Sequence, residues 1–308
     1  MKRRIYKLTP HVCDKLWGGY RLERYGKGRS RIAETRELSF TKGSETHIDG
    51  RPISEVLSAE ELGENCRRFG DFPVLTKFID AAEKLSVQVH PSDEYAAGFE
   101  GTLGKSELWY VVEADAGAGL YLGLKEKTST EEFLSCVERG EAEGLLDFKP
   151  VSAGDVYFIP PGTIHVIGPG TVIFEIQENS ELTYRIYDYM RRDADGNMRE
   201  LHLEDAMRVA RLGAYEVPPR VEKNGEILGK CDYFEVRKCK VEFTKTPLFA
   251  GKDSFVSVTC VFGCGSIEGQ TLSLGDTYLV PAGYGEYFIE GDLTAILVSV
   301  PKKDAQDE

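Results

Sequence analysis

The chain lacks the features that mark membrane, secreted and nucleic-acid-binding proteins. No apolar run reaches the roughly 18 residues that a membrane-spanning helix needs. The basic start, MKRRIYKLTP, is not followed by the apolar segment of a signal peptide. A net charge of −13 argues against a broad basic surface for nucleic acid. We therefore expect a soluble cytoplasmic protein that binds neither nucleic acid nor membrane.

Paired cysteines are also missing. The seven cysteines are scattered, odd in number, and include no CxxC pair. This spacing argues against a disulfide framework and against a structural zinc knuckle. Apolar residues make up 41% and charged residues 29% of 308 positions, which is typical of a globular protein large enough for two or three modest domains.

What the sequence does contain is short strand-like runs separated by glycine and proline. This pattern is typical of a β-barrel or jelly roll. Two strands at 73–80 and 85–90 are predicted to form a hairpin. Helical patterns occur at 50–70, in a short stretch at 94–99, in two helices of an insertion near 129–148 that opens with a capping box at Ser129, and at 203–211.

An internal repeat indicates two related domains. Residues 154–165 read GDVYFIPPGTIH and residues 275–286 read GDTYLVPAGYGE, with Gly, Asp, Tyr, Pro and a second Gly in register. The sequence G-D, an apolar strand and P-x-G resembles the end of a cupin jelly-roll motif. We therefore expect a mostly β protein with two cupin-type jelly-roll domains and a small helical insertion. The first copy has His165 where the second has Glu286, which predicts a metal ligand in the first copy only.

The predicted domain boundaries follow from this repeat and from a change of pattern around two prolines. Residues 1–211 are predicted to form a catalytic cupin domain that carries the helical insertion. Residues 212–227 are predicted to be a linker, and residues 228–308 a second, metal-free cupin-like β-domain.

The stretch LSVQVHP at 85–91 alternates apolar and polar side chains. On an extended strand, Ser86, Gln88 and His90 would share the face opposite the three apolar residues. Alternate residues lie roughly 6.6 Å apart along a strand, within reach of one ion. In most strands with this alternation the polar face is simply exposed to water. A metal site would therefore require further ligands from elsewhere in the chain.

Two other residues supply candidates for those ligands. Glu107 begins the predicted strand SELWYVV and shares a face with Trp109, where an unpaired carboxylate would be costly. His165 follows a proline-rich turn. Two histidines and one glutamate form a familiar catalytic zinc set with a position left for water or substrate. Gln88 would be a less usual zinc ligand, and iron or manganese also suits these donors.

Several motifs in one order resemble those of type I mannose-6-phosphate isomerases in their short bacterial form. They are KLWGG (15–19), PVLTKFIDA (73–81), LSVQVHP (85–91), GKSELWYV (104–111), PPGTIHVIGPG (160–170) and EIQENSELTYRIYD (175–188). The resemblance implies a zinc-dependent aldose–ketose isomerase that interconverts mannose 6-phosphate and fructose 6-phosphate through an enediol. Its partner would be a phosphorylated hexose, and the chain would be a monomer or a small homo-oligomer.

The resemblance also implies roles for individual residues. One Zn²⁺ per chain would be held by Gln88, His90, Glu107 and His165. The catalytic residues would be Arg185, Lys105 and Glu175. Substrate contacts would come from Ser86, near the sugar phosphate, and from Trp17. For Trp17 a place in the core is the commoner outcome, and it could serve both purposes. Lys105 and Glu175 both remain candidates for the proton carrier, and Lys84, Arg191 and Arg192 are further candidates for the phosphate.

Other functions stay open at this point. The chain reads Glu-Thr-Arg-Glu at 34–37 where many bacterial members read E-S-W-E, and it has Ile167 where some have an aromatic residue. A cupin epimerase or a metal oxygenase is one alternative. A catalytically inactive sugar-phosphate-binding or regulatory cupin is another. The complete ligand set of the first domain argues against an epimerase and against an inactive cupin, whereas metal analysis would be needed to separate an oxygenase.

Overall fold

The computed structural model describes residues 4–98, 103–192, 195–215 and 227–303. Within these ranges the strands are β1 (Tyr6–Lys7), β2 (His11–Cys13), β3 (Glu34–Leu38), β4 (His47–Ile48), β5 (Arg51–Pro52), β6 (Val74–Ala81), β7 (Val87–Val89), β8 (Glu107–Ala114), β9 (Gly119–Leu124), β10 (Leu146–Pro150), β11 (Val156–Ile159), β12 (His165–Ile167), β13 (Thr171–Glu178), β14 (Tyr184–Tyr187), β15 (Ile227–Lys230), β16 (Glu235–Ala250), β17 (Val256–Ile267), β18 (Gln270–Leu272), β19 (Thr277–Val280) and β20 (Gly285–Ser299).

The helices are few and short. They are α1 (Ile53–Val56), α2 (Ala59–Leu62), α3 (Asp93–Ala96), α4 (Thr130–Glu138) and α5 (Leu203–Val209), with 3₁₀ segments at Arg21–Tyr25, Glu64–Arg68 and Ala142–Leu145. In the part of the chain that the structure describes, none of these helices has the length and apolar character needed to cross a bilayer.

The N-terminal part is a sandwich of two antiparallel sheets. One has the order β10-β9-β12-β7-β14, and the other has the order β11-β8-β13-β6-β3-β2. Side chains of both sheets meet in one apolar interior that contains Trp109 and Ile173 from one side and Leu120 and Ile167 from the other. This is the predicted jelly roll, and the mostly β fold class is confirmed.

The outer face of the five-stranded sheet is covered by helices. Phe133 and Val137 of α4 and Ala206 of α5 share one buried cluster with Val87 and Val89 of β7. Ser129 caps α4 by accepting a hydrogen bond from the backbone N–H of Glu132, as its capping-box pattern predicts. Because Val87 and Val89 face these helices, the polar side chains between them face the interior of the jelly roll.

The C-terminal part is a seven-stranded sheet with the order β1-β19-β17-β20-β16-β15, and β18 pairs with β17. It packs on the outer face of the six-stranded sheet, where Phe78 and Phe174 share a core with Phe234 and Phe255. Strand β1, from the start of the chain, belongs to this sheet. Most of the predicted linker 212–227 lies outside the described residues, so the domain boundaries stay a prediction.

The sequence repeat corresponds to a repeated local structure. The carboxylate of Asp155 accepts a hydrogen bond from the backbone N–H of Ser152 at 2.8 Å, and that of Asp276 accepts one from Ser273 at 2.9 Å. In each copy the glycine before the aspartate has a positive φ, 91° and 85°. Each aspartate therefore closes the same turn before a strand, β11 in one copy and β19 in the other.

One predicted helix is broken into pieces. Residues 50–70 form α1, α2 and a 3₁₀ segment instead of one continuous helix. Leu57 has an extended backbone between the first two. Gly63 ends α2 with a φ of 97°, and a Cβ there would lie 2.7 Å from the carbonyl oxygen of Asp253. Ser58 caps α2 in a complete capping box.

Two further predictions about local structure are wrong. Strands β6 and β7 do not form a hairpin, because β6 pairs with β13 and β3 while β7 lies in the opposite sheet. The segment 82–86 therefore crosses the sandwich, and Leu85 packs beside Trp17 in the interior. The second helix of the insertion, predicted over 140–148, is only the 3₁₀ segment at 142–145 followed by β10.

Candidate active site and metal centre

The register of the five-stranded sheet aligns three of the predicted site residues. Gln88 of β7 pairs with His165 of β12 on one side and with Arg185 of β14 on the other. Paired positions on neighbouring antiparallel strands project to the same face. Gln88, His165 and Arg185 therefore form a row that faces the interior.

The facing sheet contributes a second row. Glu175 of β13 pairs with Trp109 of β8 and with Lys77 of β6, and Lys77 pairs with Arg36 of β3. The family resemblance implied a catalytic role for Glu175, but the sequence gave no reason to connect it with Lys77 or Arg36. Only the strand order brings these distant residues side by side.

His90, Glu107 and His165 meet between the two sheets. One ligand atom from each lies within 4.8 Å of the others, and all three side chains are buried. Nε2 of His90 is 3.2 Å from Oε1 of Glu107, and Nε2 of His165 is 3.8 Å from Oε2. Both imidazoles therefore point their Nε2 atom at the carboxylate of Glu107.

The other ring nitrogen of each histidine faces a backbone carbonyl. Nδ1 of His90 lies 3.0 Å from the oxygen of Leu182, and Nδ1 of His165 lies 2.9 Å from the oxygen of Thr163. A carbonyl accepts only, so each Nδ1 carries the proton and each Nε2 presents a lone pair to Glu107. Histidine ligands of metals are held in this way, with the second nitrogen donating to a carbonyl or carboxylate.

The ionisation of these groups places three acceptors beside one another. Burial lowers the pKa of His90 to about 3 and also lowers the pKa of His165, so both rings are neutral near pH 7. Burial alone would raise the pKa of Glu107, but the ammonium of Lys105 holds it well below its ordinary value. Among the described residues, neither oxygen of Glu107 receives a hydrogen bond of good geometry. Two imidazole lone pairs and a buried carboxylate pointing at one another fit a cation.

Two more predicted residues border this cluster. The ammonium of Lys105 lies 2.7 Å from Oε1 of Glu107 and 3.4 Å from Nε2 of His90. The amide nitrogen of Gln88 lies 3.1 Å from Nε2 of His165. Rotation of this amide about its terminal bond would present its oxygen at the same place, so Gln88 fits the position of a fourth ligand.

A cleft of about 380 Å³ opens beside the cluster. The predicted residues that line it are Trp17, Ser86, Gln88, Lys105, Glu175 and Arg185. Charged residues that line it without having been predicted as part of the site are Lys15, Glu34, Arg36, Lys77, Glu181 and Arg199. Lys84, Arg191 and Arg192, which were considered for the phosphate, do not line this cleft. Lys84 instead pairs with Glu143.

Lys77 and Glu175 form a buried ion pair in the wall of the cleft. The ammonium of Lys77 lies 2.8 Å from Oε2 of Glu175 and 2.5 Å from Oε1 of Gln177, and the indole N–H of Trp109 donates to Oε1 of Glu175 at 3.1 Å. Burial raises the pKa of Glu175, although the charge of Lys77 opposes the shift. Both carboxylate oxygens of Glu175 are therefore engaged. A lysine inside the apolar run PVLTKFIDA was the one sequence signal for this pair.

Arg185 has free hydrogen-bonding capacity. Its Nη1 donates to the carbonyl of Glu200 at 2.8 Å, while its Nε is buried without a hydrogen-bond partner among the described residues. Burial and the nearby positive charge of Arg199 lower the pKa of Arg185 from its ordinary value, and the guanidinium stays charged at neutral pH. Ser86 is buried at the cleft wall. Trp17 packs in the core with one side at the cleft, so both readings of Trp17 are compatible with its position.

Comparisons with known proteins agree with this architecture. The family model for the cupin domain of mannose-6-phosphate isomerase matches residues 225–300. Mannose-6-phosphate isomerase ManA of Bacillus subtilis (strain 168) is 34% identical over 303 residues, which cover 92% of this chain and 94% of the relative. A crystal structure of the mannose 6-phosphate isomerase from Bacillus subtilis superposes with a TM-score of 0.84 at 30% identity, over 96% of this chain and 99% of that chain.

A more distant structure shares the fold. It is a holo, zinc-bound mannose 6-phosphate isomerase that is 17% identical, with a TM-score of 0.77 over 97% of this chain and 100% of that chain. At this identity the likeness concerns the arrangement of the strands.

Proposed function

The chain belongs to the mannose-6-phosphate isomerase family, and from this premise we propose that it interconverts mannose 6-phosphate and fructose 6-phosphate with the help of one bound zinc ion. The observation that carries the proposal is the buried cluster of His90, Glu107 and His165 beside a cleft rich in cationic side chains. A cluster of acceptors suits the metal, and the cleft suits an anionic sugar.

We assign the zinc ligands to His90, Glu107 and His165, with the amide oxygen of Gln88 as the fourth. Two neutral imidazole nitrogens and a carboxylate are a common catalytic zinc set. Two backbone carbonyls already orient the imidazoles, so no rearrangement of their tautomers is needed. When bound, the ion would supply Lewis-acid stabilisation for the oxygens at C1 and C2 of the sugar.

The reaction removes a proton from C2 of the aldose and delivers one to C1, and an enediol lies between them. The Lys105 nitrogen lies 2.7 Å from Oε1 of Glu107 and 3.4 Å from Nε2 of His90, so we assign the proton transfer to Lys105. In its neutral form the amine would take the proton from C2, and the resulting ammonium would deliver it to C1. Glu175 accepts hydrogen bonds at both oxygens, from Lys77 and Trp109, and we assign it the role of orienting this wall of the cleft.

The charges of the cleft support a proposal for how the substrate would be held. Six cationic and three acidic side chains line it in a chain whose net charge is −13. We propose that the guanidinium of Arg185 and the hydroxyl of Ser86, which both belong to residues lining the cleft, bind the phosphorylated end of the sugar. An arginine side chain provides a fixed, permanently charged group that matches phosphate oxygens. Trp17 would border the sugar ring.

The experiment that tests this function is a coupled assay for fructose 6-phosphate formed from mannose 6-phosphate. Native protein, chelated protein and chelated protein with restored zinc are compared. We expect turnover to disappear with the chelator and to return with zinc. His165→Ala should abolish turnover, and His47→Ala, outside the cleft, should retain it. Metal-bound protein without turnover would overturn the isomerase and favour an inactive sugar-phosphate-binding cupin.

A further inference from the structure

The segment 104–106, which carries Lys105 and leads into Glu107, is held by three consecutive backbone amides. They donate in turn to the carboxylate of Asp93 at 2.8 Å, to the carbonyl of Pro91 at 3.0 Å and to the carboxylate of Glu178 at 2.8 Å. The backbone N–H of Glu178 donates back to the carbonyl of Ser106 at 3.1 Å. Two carboxylates therefore fix the backbone on either side of Lys105.

The C-terminal domain reaches this arrangement through one side chain. Tyr233, in the turn between β15 and β16, donates its hydroxyl to the second oxygen of Asp93 at 2.9 Å. Its ring packs on Phe69, with 5.0 Å between the ring centroids. Tyr233 thus belongs to the C-terminal domain, and the Asp93 carboxylate that it contacts fixes the backbone of the N-terminal domain at Gly104.

The same domain also supports the strand that follows the segment. Gly229 of β15 lies directly on Leu108, the residue after Glu107, since a Cβ at position 229 would lie 2.3 Å from Cδ1 of Leu108. Phe234 shares the core that contains Leu108. The C-terminal domain therefore contacts the Lys105–Glu107 region both through packing and through a hydrogen bond.

Asp93 and Glu178 also influence each other. Glu178 is buried, and its second oxygen has no hydrogen-bond partner among the described residues. Burial, with the negative charge of Asp93, raises the pKa of Glu178 to about 7. Near neutral pH a proton on Glu178 removes the repulsion between the two carboxyl groups, because two close carboxylates resist ionising together.

We propose that Tyr233, Asp93 and Glu178 form a positioning network through which the C-terminal domain holds Lys105 and Glu107 in place. These three residues act through the backbone of 104–106 and are positioning residues. The effect on turnover rests on the proposed function, whereas the effect on the backbone does not. A displacement of about 1 Å in a catalytic group can reduce a rate by about a hundredfold, so a modest loosening has a measurable effect.

The first test removes one oxygen atom. Tyr233→Phe keeps the ring on Phe69 and deletes only the hydroxyl that binds Asp93. Tyr278→Phe is the matched control, because it deletes a hydroxyl of the same domain that donates to the carbonyl of Thr271 at 2.6 Å. Hydrogen exchange of the amides at 104 and 106 is measured together with kcat and KM for mannose 6-phosphate.

We expect faster exchange at both amides in Tyr233→Phe, a kcat lowered by about tenfold and a KM within about twofold of the wild type. The control should match the wild type in all three. Unchanged exchange in Tyr233→Phe, or equal effects in the two variants, would overturn the proposal. If the wild type has no turnover, the proposed function fails, and the exchange measurement still decides the network.

The second test uses rescue by a similar side chain. Glu178→Gln keeps an oxygen for the N–H of Ser106, and its amide N–H can donate to Asp93 in the way that the O–H of a protonated Glu178 would. Glu178→Ala removes both contacts. We expect Glu178→Gln to retain slow exchange and most of kcat, and Glu178→Ala to lose both. Equal behaviour of the two variants would contradict the proposed role of Glu178.

Discussion

Replacing Glu107 by glutamine perturbs the centre of the candidate metal site with little change in shape. The carboxylate lies 2.7 Å from the buried ammonium of Lys105 and faces the Nε2 lone pairs of His90 and His165. In Glu107→Gln the new amide can donate to one imidazole, but Lys105 loses its counter-charge. The variant therefore separates the two interactions that the carboxylate makes.

The expected loss of stability without metal follows from the loss of the ion pair with Lys105 and the gain of one hydrogen bond to an imidazole. Leaving one member of a buried ion pair without its partner costs about 3–5 kcal/mol. A new hydrogen bond to an imidazole returns about 1 kcal/mol. We therefore expect metal-free Glu107→Gln to be less stable than the metal-free wild type by about 2–4 kcal/mol. For a chain of this size that corresponds to a fall in Tm of roughly 5 °C or more.

The expected loss of zinc-dependent stabilisation follows from mass action. Zinc at a thousandfold excess over its Kd stabilises the native state by about 4 kcal/mol. Glutamine supplies no negative charge, and Glu107 is the one anionic member of the cluster. If the affinity falls about a hundredfold, the stabilisation by the same zinc concentration falls by about 2.7 kcal/mol.

The assay is thermal denaturation of chelated and zinc-restored protein, with bound zinc measured by elemental analysis. Glu113→Gln is the matched control, because it makes the same change on the same strand, where Glu113 accepts a hydrogen bond from Tyr25 at 2.5 Å outside the cluster. The zinc-dependent rise in Tm should persist in Glu113→Gln and nearly vanish in Glu107→Gln. A full zinc-dependent rise in Glu107→Gln would refute the assignment of this site.

Three further predictions concern charge. Burial holds the pKa of His90 at about 3 in the folded chain, whereas the unfolded value is near 6.5. The metal-free protein should therefore lose stability as the pH falls below about 6.5, by up to about 1.4 kcal/mol per pH unit. His90→Asn should flatten this slope in denaturation curves. Lys77→Met leaves the buried carboxylate of Glu175 without its cation, and denaturant titration should report a loss of about 3–5 kcal/mol. Arg185→Lys replaces a forked group by a point charge, and steady-state kinetics should show a KM for mannose 6-phosphate raised about tenfold or more.

The alternation of LSVQVHP could be interpreted from sequence because the period of a strand is two. It correctly separated Val87 and Val89 from Gln88 and His90. It did not indicate that both faces are buried, one under helices α4 and α5 and one inside the jelly roll. It also placed Leu85 with the valines, although the strand begins only at Val87 and the chain before it crosses between the sheets.

The cationic wall of the cleft was beyond sequence reasoning for a physical reason. Lys77 meets Glu175 because β6 lies beside β13, and the residues are 98 positions apart. Strand order in a jelly roll is set by long-range packing, so periodicity within one strand carries no information about it. The predicted hairpin of β6 and β7 failed for the same reason.

The internal repeat is consistent with the supporting role that we propose for the C-terminal part. Ile159 and Val280 hold the same position in the two copies, and they pair with Glu107 and Val256 respectively. Val256 therefore stands where Glu107 stands in the first copy, and valine has no atom that can bind a metal. With Glu286 at the position of His165, two ligand positions of the first copy have changed in the second. What the second copy retains is its sheet, which backs strand β8 and brings Tyr233 to Asp93. In the positioning network that we propose, its role is to hold the Lys105–Glu107 segment of the first copy in place.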